Sequence, residues 1–244
     1  MNFMSFTTLT HAEFEEGCKA FISKCALDRD PISRRKYPPG WHWHEHTSFP
    51  QLGYMSRSLS IPAHSLCEDH LDDETDEVYV EVPEDDAEAP QVIRELVTVT
   101  LSVVYSPTYQ VPALYFTAHH TSGWIAIGFS CASPDDALGG SPLTLPEITR
   151  LPLFREGLFP DEQGGSFALN VPDSSFAMLS QGDHPTLGTP SWYLHPCHTS
   201  AVVSEILSVG EWGDHEQAAR WIESWFLVLG NVVDFTPHNS SVMV

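Results

Sequence analysis

"QVIRELVTVTLSVVYSPTYQVPALYFTA", residues 91–118, decides the architecture. Its first half, through Tyr105, is a run dense in β-branched residues, which fit a pleated strand. "SPT" (106–108) supplies a turn, and "YQVPALYFTA" (109–118) is a second strand that opens on Tyr109. Two strand runs across a short turn read as an antiparallel hairpin. A hairpin must bury at least one face against other elements, and the flanking sequence shows what is available.

Upstream, "THAEFEEGCKAFISKCAL" (10–27) reads as a helix. Thr10 and Glu13 make a capping-box pair. Phe14, Cys18, Phe21, Ile22 and Cys25 fall on one helical face, so both cysteines are expected in the core. "DPISRRKYPPG" (30–40) breaks the helix, and residues 41–61 read as extended, aromatics alternating with histidines before a period near two. Downstream, "GWIAIGF" (123–129) reads equally as strand or loop, and "LTLPEITRLPLF" (143–154) as a short helix capped by Thr144. Residues 160–190, rich in Gly, Ser and Pro, are expected to be mostly irregular. Helices are expected at 199–209 and 215–230. The second is capped by Asp214 with Gln217 and buries Trp221, Ile222, Trp225, Phe226 and Leu229. This order predicts an α+β fold: one antiparallel sheet, an N-terminal helix and C-terminal helices. No repeat or second boundary interrupts it, so residues 1–244 are read as a single domain.

The chain carries 33 acidic against 11 basic residues, for a formal charge of −22. That balance disfavours nucleic acid and anionic membrane surfaces, which are gripped through Lys and Arg, and suits a basic protein partner. Part of it is local: residues 67–90 hold 12 of the acids and read as a mobile solvated loop. Five scattered cysteines without a CxxC read as reduced thiols. The start "MNFMSFTTL" lacks the features of a signal peptide and no apolar run has spanning length, so a soluble, cytoplasmic protein without stable membrane insertion is expected.

Two clusters stand out chemically. In "GWHWHEH" (40–46), His42, His44 and His46 share one face of a strand. That face is a metal arrangement only with ligands from other elements, and the stretch is read as an exposed polar edge with Trp41 and Trp43 facing the core. No metal is expected. The second cluster is "WYLHPCHTS" (192–200). Pro196 fixes its own φ and biases His195 to extended backbone, so the approach to Cys197 is pre-set. Thr199 or Ser200 can cap a following helix, whose N-terminal field favours thiolate. An unperturbed thiol, with a pKa of about 8.5, ionises to only a few per cent at neutral pH. The plain alternative is a packed cysteine at a strand-to-helix turn.

"YSPTYQVPALYF" (105–116), "GGSPLTLPEI" (139–148), "DHPTLGTPSWYLHPC" (183–197) and "WIESWFLVLGNVV" (221–233) occur in that order. Together they resemble the autophagy-related protein ten family of E2-like enzymes. A distant relative of that family, autophagy-related protein three, also carries His-Pro-Cys. The likeness is loose over 41–57 and good over 91–233, apart from insertions at 62–90 and 119–138. It implies a ubiquitin-conjugating-type fold with extra strands. It implies further that Cys197 accepts the ubiquitin-like autophagy-related protein twelve as a thioester from the E1-like protein seven, then passes it to a lysine of protein five. Activation belongs to the E1, and the chain has no P-loop or Rossmann fingerprint, so no cofactor is expected.

The ordinary E2 pattern is His-Pro-Asn with the cysteine several residues later. Here cysteine stands in the asparagine's place, as it does in the resembled family. Aminolysis of a thioester builds charge on the carbonyl oxygen, which needs a donor. The Tyr109 hydroxyl, the His195 imidazole and backbone N–H groups after Cys197 are the candidates, with Tyr109 and His195 expected to shape the site. The incoming lysine, about 0.1% neutral at physiological pH, needs help to lose its proton. Asp183, His184 and His198 are possible contributors, and the sequence does not choose among them. Two rival readings stay open: a cysteine hydrolase, and a non-catalytic module that binds a ubiquitin-like protein.

Overall fold

A computed structural model of the chain describes residues 8–27, 38–62, 96–121, 140–155, 158–159, 164–165, 168–170, 177–197, 199–209 and 217–235. The acidic stretch 67–90, "GWIAIGF", residues 122–138 of the second insertion, Cys67, Cys131, His198 and the Asp214 cap lie outside them.

Helix α1 (His11–Leu27) opens on the expected capping box. Thr10 N–H and its hydroxyl both donate to Glu13 Oε2 at 2.7 Å, and Glu13 N–H donates back to Thr10 Oγ1 at 3.3 Å. Strands β1 (His42–His44), β2 (Tyr54–Pro62), β3 (Leu96–Ser106) and β4 (Val111–His120) follow. Then come α2 (Leu145–Thr149), β5 (Gly164–Gly165), β6 (Ala168–Asn170), β7 (Ala177–Asp183), β8 (Pro190–Leu194), α3 (Thr199–Ser208) and α4 (Gln217–Leu229). The strands form one eight-stranded antiparallel sheet in the order β1-β2-β3-β4-β8-β7-β6-β5. The hairpin, β3 with β4, lies at its centre, as the sequence predicts.

The region read as irregular, 160–190, contains β5, β6, β7 and the start of β8. β5 and β6 are two and three residues long, and β7 (AMLSQGD) has no β-branched residue. They are strands because β8 and its neighbours give their backbone groups partners, which local composition does not report.

Met55, Leu59 and Ile61 of β2, odd-numbered residues 97–103 of β3, and Leu114, Phe116 and Ala118 of β4 are buried on one face. α1 and α4 cover it: Phe14 meets Trp43 and Tyr105, and Phe21 stacks on Phe226 with ring centroids 4.4 Å apart. Cys18 and Cys25 are core thiols, as expected. Arg57 is buried on this face too. It donates from Nη1 to the Phe235 carbonyl at 2.7 Å, tying the chain after α4 to β2, and burial lowers its pKa to about 10. β1 is the edge strand. His44 Nε2 pairs with Ser56 Oγ at 2.8 Å, and His46 Nδ1 accepts two backbone N–H groups, from Ser48 and Phe49. Trp41 is buried and Trp43 half-buried, which is the polar-edge reading of that stretch.

The helices cross closely at Gly17. A Cβ there would stand 2.5 Å from the Ala218 carbonyl oxygen and 2.8 Å from Ile222 Cγ1. Both contacts are below real packing distances, and the first is to backbone that cannot swing away. Gly17→Ala is therefore expected to destabilise the protein by about 1–3 kcal/mol despite the better helix propensity of alanine. The shift in urea midpoint measures this; an unchanged or raised midpoint would refute the close crossing.

Candidate active site

Cys197 lies three residues after the end of β8 and precedes α3, whose first helical residue is Thr199. Thr199 and Ser200 are thus inside the helix and not its cap. The sulfur-bearing residue is half-buried, while Pro196 before it is buried. Pro196 accepts a hydrogen bond from Thr199 N–H at 3.1 Å. That amide is therefore engaged, which removes one of the backbone donors considered for an oxyanion.

β4 brings a second segment to the same place. Its register with β8 is Tyr115 opposite Tyr193 and Phe116 opposite Trp192. Followed toward the start of β4, an antiparallel register carries residues 111–113 past 197–195 and brings the turn before Val111 beside the His-Pro-Cys segment. The Tyr109 hydroxyl accordingly lies 3.4 Å from His195 Nε2, their rings T-shaped at 5.3 Å. Tyr109 is in the four-residue turn 107–110 and not on a strand, which begins at Val111. The expectation that Tyr109 opens the strand fails by two residues, and its position beside the His-Pro-Cys segment holds.

Cys197 N–H donates to His195 Nδ1 at 3.4 Å. An accepting Nδ1 puts the proton of a neutral imidazole on Nε2. Nε2–H then donates to the Tyr109 oxygen, and the hydroxyl keeps its own proton for another acceptor.

Asp183 and His184 are placed elsewhere. Asp183 pairs with Pro190 at the turn end of the β7–β8 hairpin, whereas His195 N–H meets Met178 O near its other end. Five residues separate Pro190 from His195, roughly 17 Å along a strand. Neither residue can serve as a base at Cys197. His184 instead holds the turn together: its Nδ1 accepts the N–H groups of Thr186 and Leu187 at 3.1 and 3.2 Å. It is 3% exposed, between the rings of Tyr54 and Tyr115. It belongs to a row of rings on the sheet face opposite the helices, running His44, Tyr54, His184, Tyr115, Tyr193, His195, Tyr109. The row ends beside Cys197. Sequence reading missed it because cross-strand neighbours are set by register. Among the described residues no group of three or more His, Cys, Asp or Glu is placed to hold a metal ion, and no helix is long and apolar enough to cross a membrane.

The family profile described as autophagocytosis associated protein, active-site domain, matches residues 13–240. The chain belongs to that family. The α+β sheet with its N-terminal and C-terminal helices is the family's ubiquitin-conjugating-type fold. Three curated proteins that the chain resembles are each named ubiquitin-like-conjugating enzyme ATG10. The human one is 28% identical over 155 residues, which is 63% of this chain and 57% of its own length. The Arabidopsis thaliana protein is 27% identical over 224 residues, 86% of this chain and 87% of its own. The Dictyostelium discoideum protein is 29% identical over 139 residues, 54% of this chain and 48% of its own. The chain thus spans somewhat over half of the human relative.

His184 makes a pH prediction. Burial lowers its pKa from 6.5 to about 4, and protonation would also end the two bonds accepted by Nδ1. As pH falls below about 6.5 the unfolded state takes the proton and the folded state does not. Stability from this group is thus full above 6.5 and lost toward pH 4, by on the order of 3 kcal/mol. Urea midpoints of wild type and His184→Gln across that window check it. The variant should be less stable at pH 7.5 and lose less on acidification, whereas parallel curves would contradict the assignment.

Proposed function

We propose that the chain is an E2-like transferase that carries a ubiquitin-like protein as a thioester on Cys197. The observation that carries this reading is a half-buried thiol at the β8–α3 junction, with the Tyr109–His195 pair held against the same loop. The family match and the names of the three relatives support it. The modifier is autophagy-related protein twelve, the donor the E1-like protein seven, and the acceptor a lysine of protein five, with the reaction in the cytoplasm. Residues 1–244 work as one E2-like unit, with insertions at 62–90 and 119–138.

In the first step the Cys197 thiolate attacks the carbonyl carbon of the modifier's terminal glycine, and the E1 thiol leaves. In the second the neutral lysine amine attacks the new thioester, and the carbonyl oxygen takes up charge in the tetrahedral intermediate. The Tyr109 hydroxyl, accepting from His195 Nε2–H, donates a hydrogen bond to that oxygen and keeps its proton. The C–S bond then breaks, Cys197 leaves as thiolate, and the amine nitrogen gives up its proton as the isopeptide forms. His195 acts on Tyr109 and on the Cys197 amide, so it is a positioning residue. With Asp183 and His184 at the far end of the hairpin, the base for the lysine stays unassigned.

A charging assay tests the covalent step: purified E1, ATP and modifier with wild type or Cys197→Ser, on non-reducing gels. Wild type should give an adduct that dithiothreitol removes. The serine variant should give a thiol-resistant ester or none. An active E1 that leaves wild type uncharged would return Cys197 to a packed turn and favour a binding module.

A further inference from the structure

The turn that carries Tyr109 is held from the side by the segment leading into α1. Gln110 has φ of +54°, and among the described residues no other non-glycine has a positive φ. An L residue with a full side chain disfavours that left-handed region, so surrounding contacts must impose it. They are present. Gln110 N–H donates to Ser106 O at 2.7 Å, and Gln110 O accepts from Leu9 N–H at 2.8 Å. Leu9 is buried, and its own carbonyl accepts from the Tyr105 hydroxyl at 2.8 Å. The peptide units on both sides of Gln110 are thereby fixed to β3 and to the N-terminal segment.

Tyr109 has the opposite character. It is 38% exposed, so core packing does not set its ring, and its hydroxyl and ring both meet the His195 imidazole. The position of an exposed side chain on a turn follows from the backbone that bears it. Glycine would adopt the left-handed conformation without strain and keep both backbone bonds, yet its φ and ψ would wander more widely around them. A glutamine locked there does not.

We infer that Gln110, with Leu9 and Tyr105, is a positioning residue for the transfer step: the Leu9–Gln110 clamp holds the Tyr109 hydroxyl at His195 Nε2. This rests on the reading of Tyr109 as the donor to the thioester oxygen. The clamp also joins the start of α1 to the active-site loop, so the segment before the first helix is part of the transfer machinery and not only of the fold.

The test is single-turnover transfer to the acceptor from enzyme already charged on Cys197, for wild type, Gln110→Gly, Gln110→Asn, Tyr109→Phe and the Tyr109→Phe/Gln110→Gly double variant. Gln110→Gly should charge normally but transfer roughly fivefold or more slowly at saturating acceptor, with the half-saturating acceptor concentration unchanged. Gln110→Asn, which tolerates the left-handed region, should transfer near the wild-type rate. The double variant should be no slower than Tyr109→Phe alone, because both changes remove one effect. A wild-type rate for Gln110→Gly, or a loss that adds to that of Tyr109→Phe, would overturn the clamp. Tyr109→Phe at the wild-type rate would instead sink the donor reading and the clamp with it. Should Gln110→Gly lower the melting temperature, Tyr105→Phe, which deletes the hydroxyl anchoring Leu9, is read by the same outcomes.

Discussion

Two residue pairs, Tyr115 with Tyr193 and Phe116 with Trp192, join the N-terminal half of the sheet to the hairpin that bears the cysteine. β4 spends its other edge on β3 over ten registered pairs, so β3 and β4 form a rigid plate and β8 docks on it briefly. Antiparallel side chains alternate strictly, and a slip of one residue would turn Trp192 from the core to the open face and carry His195 away from the Tyr109 turn. Phe116 and Trp192 are buried and pay against such a slip through lost apolar contact. The position of the cysteine therefore depends on a core contact some residues before it.

The same register explains why the two faces of the sheet differ. Residues opposite Met55 and Val103 face α1 and α4 and are apolar, while their neighbours opposite Tyr54 and Ser102 face away. That second face holds hydroxyl-bearing residues and the row of rings that ends at Tyr109. His184 is the member with a structural task, closing the β7–β8 turn through Nδ1. His195 uses the same imidazole chemistry to different effect: its Nδ1 takes the Cys197 amide and its Nε2 faces Tyr109. Burial separates the roles, since His184 is sealed between rings and His195 is partly open to solvent.

What was legible in the sequence was local. The Thr10–Glu13 box closes within four residues and forms as read, and Thr144 stands at the start of α2 as expected, its N–H and hydroxyl both donating to Glu147. The β3–β4 hairpin and the two core cysteines follow from periodicity, which needs no partner to be seen. The strands between residues 164 and 183 were not legible, because an Ala-Met-Leu-Ser run becomes a strand only beside β8 and a glycine pair only beside β6. At the site, the stiffness of His-Pro-Cys could be read, and the meeting of Tyr109 with His195 could be expected. That Tyr109 belongs to the turn could not, since "YQV" looks like strand and the positive φ of Gln110 comes from a bond to Leu9, a hundred residues away. Nor could the sequence show that Asp183 and His184, fourteen and thirteen residues before Cys197, lie at the other end of a hairpin.

The central claim is transfer to an amine through Cys197, and a chase experiment meets it most directly. Enzyme charged with the ubiquitin-like protein would be separated from E1 and ATP, then mixed with the acceptor. Loss of thioester and gain of isopeptide product would be followed together by mass spectrometry. The account predicts that each thioester lost appears as a lysine conjugate, at a rate set by acceptor concentration until saturation. Release of free modifier to water at a rate indifferent to the acceptor would contradict it and make the protein a thiol hydrolase.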